Sequence, residues 1–67
     1  MNVQEAIILA KKEGRGITRE SWGARSPLII PSNTIAGMVV VDYKNQTKPG
    51  WQPIEKDLIA NDWIVCG

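Results

Sequence analysis

The spacing of apolar residues changes along the chain, and each change marks an element. In the first fourteen residues Val3, Ala6, Ile7 and Ala10 recur at helical intervals and share one face. Asn2, with Glu5 three residues later, reads as a capping pair at the helix start. Lys11 and Lys12 fall in the last turn, where the helix dipole favours cations. Gly14 is placed to be the left-handed residue just past the end. Ile8 and Leu9 lie off the apolar face, as extra core or as a contact with another subunit.

Beyond Gly14 the apolar runs shorten to strand length. Gly16-Ile17-Thr18-Arg19 reads as a short strand with Ile17 inward. Trp22 follows, then a loop through Pro27, then a second strand, Leu28-Ile29-Ile30, stopped by Pro31. Residues 31–34 are turn material. Residues 38–43 form the strongest strand, a β-branched run typical of burial on both faces, with Asp42 marking its exit. Residues 44–50 read as a loop or wide turn ending in Pro49-Gly50. A short helical pattern over 54–61 follows Pro53, with Ile54 and Leu58 on one face. Trp63-Ile64-Val65-Cys66 is a final strand. The expected fold is α+β: a small antiparallel sheet packed by the N-terminal helix, with a short second helix before the last strand.

Composition narrows what such a domain can do. The chain has 67 residues, enough for one domain. A single core of this size rarely supplies more than roughly 3–5 kcal/mol. Cys66 is the only cysteine and there is no histidine, so neither an intrachain disulfide nor a tetrahedral zinc site can reinforce it. Oligomerisation is the support that remains. The net charge of +1 argues against a general DNA or RNA binder. No stretch has the pattern of a signal peptide or the length of a membrane span, and a lone cysteine fits a reducing cytoplasm.

The chemistry on offer is binding. Without histidine the Ser-His and Cys-His nucleophile systems cannot be built, and the glycine spacings of phosphate and dinucleotide loops are absent. Cys66, inside an apolar strand, reads as a buried structural thiol. Glu55, Asp57 and Asp62 could pair in space. Three tryptophans stand in a chain with no phenylalanine. Trp63 opens an apolar strand and reads as core. Trp22 and Trp51 each adjoin a glycine in a loop-like setting, so each is either core or a flat face for a purine ring. Arg19 and Arg25 flank Trp22 and could grip phosphate oxygens, and Asp57 could accept a ribose hydroxyl.

The order of these residues resembles the small phage and prophage proteins of the second type of Thoeris anti-defence family. The similarity lies in Ile17-Thr18-Arg19-Glu20-Ser21-Trp22, in Trp51-Gln52-Pro53, and above all in the closing Asp57-Leu58-Ile59-Ala60-Asn61-Asp62-Trp63. It covers about residues 2–22 and 51–66. The resemblance implies a non-enzymatic sponge without a cofactor. Such a protein binds a cyclic nucleotide immune signal, a cyclic ADP-ribose isomer or a cyclic dinucleotide, and holds it uncleaved in the host bacterial cytoplasm. It also implies a homo-oligomer, a tetramer in many relatives, with pockets between subunits. The positions it assigns to the ligand are Arg19, Trp22, Trp51 and Asp57, and Arg25 and Gln52, beside the two tryptophans, complete the candidate ligand-binding set. The alternative is a protein-binding inhibitor of a defence effector such as a CRISPR nuclease, which the off-face Ile8 and Leu9 would suit. Many relatives have a longer middle segment and an asparagine-glycine-lysine-glycine turn after the first tryptophan, where this chain has Gly23-Ala24-Arg25-Ser26.

Overall fold

A computed structural model describes residues 1–23, 26–33, 37–42, 44 and 46–67. Loop residue Ala24, candidate ligand Arg25, turn residue Thr34, strand-end residue Tyr43 and loop residue Asn45 lie outside the described residues.

Helix α1 spans Val3–Glu13 and begins as its sequence dictates. The Asn2 Oδ1 accepts from the Glu5 N–H at 2.8 Å, and the Glu5 carboxylate accepts from the Asn2 N–H at 3.0 Å. Two of the four orphan donors of the helix start are thereby satisfied. At the other end Gly14 adopts φ 66°, the left-handed cap. Ala6 and Ala10 are fully buried, and these two methyl groups let the helix sit close on the sheet. Ile8 is exposed and Leu9 half-buried, so Ile8 adds nothing to the core.

The sheet has five antiparallel strands in the order β4-β3-β2-β1-β5. They are β1 (Gly16–Arg19), β2 (Leu28–Ile30), β3 (Val39–Val41), β4 (Thr47–Lys48) and β5 (Trp63–Cys66). Helix α1 packs on β1 and β5. The pairs Ile17↔Ile29, Ile17↔Val65 and Ile29↔Val40 place those four side chains on one face. With Ala6, Ala10 and Trp63 from α1 and β5, they make the core.

Three elements depart from the sequence expectation. Residues 44–50 are not all loop, because Thr47–Lys48 pairs with β3 as an edge strand. Two polar residues carry no alternation to read. The pairing is set by Asp42, whose Oδ1 accepts from the Lys44 and Gln46 N–H groups while its own N–H donates to the Gln46 carbonyl. That side chain builds the turn. Strand β3 is half-buried throughout rather than buried on both faces. It lies one strand from the sheet edge, away from β1 and β5, on which α1 packs. Cys66 is likewise half-buried.

The second helix, α2, is shorter than its pattern, Glu55–Ile59. Ile54, Leu58 and Ile59 are 61%, 51% and 69% exposed, so the expected apolar face does not turn into the core. What turns inward instead is Asp57. It is held there by bonds that an apolar side chain could not make.

Gly16 is needed for space. A methyl group there would lie 2.6 Å from Leu28 Cγ and 2.8 Å from Ile30 Cδ1. Gly16→Ala is expected to destabilise the domain by about 1–3 kcal/mol, the usual cost of overpacking. A fall in the urea midpoint at constant slope would show it, and an unchanged midpoint would mean that Leu28 and Ile30 swing aside freely.

Candidate functional site

The site forms where the ends of β1 and β5 meet α2. Arg19 and Trp63 are directly paired across the two strands. Trp63 is 0% exposed and is the largest fully buried side chain. A buried indole needs an acceptor for its N–H, and the Asp57 carbonyl supplies one at 2.8 Å. This bond ties α2 to the sheet.

The other two tryptophans pack edge-on against Trp63. Trp22 lies 5.3 Å from it, centroid to centroid, at 77°, and Trp51 lies 5.6 Å away at 81°. Both geometries are the favoured T-shape. Trp22 arrives on a single 3-10 turn, Glu20–Trp22, that follows β1 directly. Trp51 arrives from the chain after β4, where its N–H donates to the Met38 carbonyl at 2.8 Å. Both rings are half-buried. They are part core and part surface.

Arg19 is the hub of the polar half. Its Nε donates to Asp62 Oδ1 at 2.8 Å and its Nη1 to Asp57 Oδ1 at 3.3 Å. Its guanidinium carbon is 5.9 Å from the Trp22 ring centroid, within cation–π range. Its Nη2 has no partner among the described residues. Asp57 Oδ2 accepts from the Ile54 N–H at 3.2 Å and so caps α2. Asp62 Oδ2 accepts from the Ser21 N–H at 3.1 Å, and the Asp62 carbonyl accepts from the Glu20 N–H at 2.9 Å.

Asp62 therefore fastens both Arg19 and the turn that carries Trp22. The hydrogen bond from Arg19, and then the bond from Ser21, hold its carboxyl well below the usual carboxylate range. Hydrogen bonding to Asp62 in turn raises Arg19, against a smaller opposing effect of desolvation. A carboxylate so firmly ionised is a poor proton carrier near neutrality. Asp57 and Asp62 do meet in space, as their chemistry allowed, but as two arms of an arginine clamp. Glu55 is exposed and stands apart from it.

Of the candidate ligand residues, the fold brings Arg19, Trp22, Trp51 and Asp57 around the single ring of Trp63. Gln52 is exposed beside Trp51. Arg25 lies outside the described residues. The residue that sequence reasoning undervalued is Asp62. Its signal was present: it directly precedes the core tryptophan in the closing motif, so it must lie at the mouth of β5. Among the described residues no enclosed cavity surrounds the rings, and no group of three acidic or cysteine side chains could hold a metal. Nor is any described helix long and apolar enough to cross a membrane.

These features define a small α+β domain whose surface chemistry is aromatic and arginine-based. Comparison with known families is decisive about its kinship. The model of the Thoeris anti-defense 2-like domain matches residues 1–66, and the chain belongs to that family. No curated protein and no solved structure matches it. The family is not an established enzyme class.

The clamp has a testable pH signature. A carboxyl whose pKa is lowered on folding adds stability that is fully present above its unfolded value, near 4. That contribution is lost as pH falls toward the folded value. Denaturant midpoints of the wild type should therefore decline as pH drops below about 4. Asp62→Asn should lower the midpoint at neutral pH and flatten that decline. Parallel pH profiles for the two proteins would show that Asp62 does not carry the effect.

Proposed function

We propose that this protein binds and sequesters a cyclic nucleotide signal of bacterial immunity without cleaving it, in the cytoplasm of the infected cell. The observation that carries the reading is the cluster itself. Two half-buried indoles and an arginine whose Nη2 has no partner among the described residues converge within one family whose name is anti-defence. Aromatic faces stack on bases of any identity, and a guanidinium grips phosphate oxygens. Trp22 and Trp51 would take the base or bases, and Arg19 Nη2 would face the diphosphate. Asp57, whose oxygens keep further lone pairs, would accept a ribose hydroxyl, and Gln52 would close the rim.

Charge sets a condition on this reading. One guanidinium against two carboxylates leaves the clamp at a net charge of −1. An anionic guest needs a further cation, and Arg25 is the sequence candidate. A second copy of the chain would supply others. The exposed Ile54, Leu58 and Ile59 stand next to Asp57, and a neighbouring subunit covering them would also wall in the guest. A homo-oligomer suits this reading, and the resemblance to the family favours a tetramer. The firmly ionised Asp62 and the lack of histidine favour retention of the ligand over turnover.

Trp51→Ala and Trp22→Ala should each weaken binding by about 1–3 kcal/mol, the stacking range per base. Calorimetry against cyclic ADP-ribose isomers and cyclic dinucleotides would measure this. Intact ligand recovered from heat-denatured protein supports sequestration, whereas degraded ligand indicates an enzyme. Unchanged affinity in a folded Trp51→Ala variant would assign that ring to the core alone. A second reading, a direct blocker of a defence effector, draws on the exposed Ile8 and the apolar residues of α2. Co-purification with such an effector, with no nucleotide bound, would favour it.

A further inference from the structure

Three consecutive residues converge on one aspartate at the mouth of β5. Arg19 Nε donates to Asp62 Oδ1 at 2.8 Å, the Glu20 N–H to the Asp62 carbonyl at 2.9 Å, and the Ser21 N–H to Asp62 Oδ2 at 3.1 Å. Trp22 is the next residue, the last of the 3-10 turn that these bonds hold. The backbone of Asp62 is itself fixed, because Trp63 beside it is fully buried and pairs with Arg19 across the strands. One residue therefore governs how the turn leaves β1 and which way the guanidinium points.

Both carboxylate oxygens of Asp62 already face donors of its own chain. The turn receives no capping bond from the Arg19 side chain at its start. The other ionic contact of Arg19, to Asp57, is the longer one at 3.3 Å. Without the Nε bond the guanidinium is free to pivot about that contact and leave the Trp22 ring, whose centroid lies 5.9 Å away. With the bond in place, Nη2 is held beside that ring and has no partner among the described residues.

We infer, resting on the nucleotide reading above, that Asp62 is the positioning residue of this site: it touches no guest, and it aims Arg19 and Trp22 together so that a phosphate and a stacked ring are met at once. Charge alone predicts the reverse behaviour. The clamp sets two carboxylates against one guanidinium. By Coulomb's law, removing one carboxylate would strengthen the hold on an anionic guest. Loss of positioning weakens it instead. Asparagine cannot stand in for the carboxylate, because its amide offers one acceptor and one donor where Arg19 and Ser21 both present donors. In Asp62→Asn either the guanidinium or the turn is released.

The test is Asp62→Asn in the full chain, titrated beside the wild type with cyclic ADP-ribose isomers and cyclic dinucleotides. Far-ultraviolet dichroism checks that the variant is folded. Its affinity for the guest that the wild type binds should fall by about tenfold, the equivalent of one lost charge-assisted bond. A role in stability alone would leave the affinity of the folded variant as it is. Equal or tighter binding by folded Asp62→Asn overturns the inference and leaves the nucleotide reading standing. A wild type that binds none of these guests overturns both. Should the variant fail to fold, nuclear magnetic resonance of the wild type decides. Its Arg19 Nε–H should give one slowly exchanging signal with and without guest, and a rapidly exchanging signal shows that Asp62 does not hold the guanidinium.

Discussion

The indole of Trp63 is the part on which the remaining structure leans. It is fully buried, bonded through its N–H to the Asp57 carbonyl, and flanked edge-on by Trp22 and Trp51. A buried aromatic of this size can supply a large share of the stability of a small domain. Its neighbours come from the end of β1, from the segment after β4 and from α2. One side chain thus fixes the relative positions of three stretches that secondary structure alone would leave loosely connected. Its backbone adds a fourth, since the Trp63 N–H donates to the Met1 carbonyl.

The polar clamp repeats this arrangement with charges. Arg19 is bonded to Asp57 on α2 and to Asp62 at the mouth of β5, and Asp62 in turn holds the Ser21 N–H. The three groups are only partly shielded, so screening by solvent moderates their strength. Their geometric effect is not moderated in the same way. They set the angle at which the Trp22 turn leaves β1, and so the orientation of that ring.

The two faces of the sheet differ in what they carry. One face is closed by α1 and the tryptophans and ends in the clamp. The other carries Leu28, Ile30, Val39, Val41 and Ile64, with Thr18 covered by Ser26 and Pro27.

Much of the fold was legible from residue order. The capping pair Asn2 and Glu5, the terminating Gly14, the strands around Ile17 and Ile29, and the final strand at Trp63 all follow from local patterns, because caps, turns and alternation depend on neighbours in sequence. The closing motif marked the family, and Trp63 was readable as core. Three things were decided by contacts between distant residues. Thr47–Lys48 became a strand because Asp42 built the turn before it. Ile54, Leu58 and Ile59 stayed outside because Asp57 was drawn inward by Arg19, 38 positions away. Asp62 became the second arm of the clamp across 43 positions. No periodicity encodes such partners, since spacing along the chain reports which face a residue takes but not what stands opposite it.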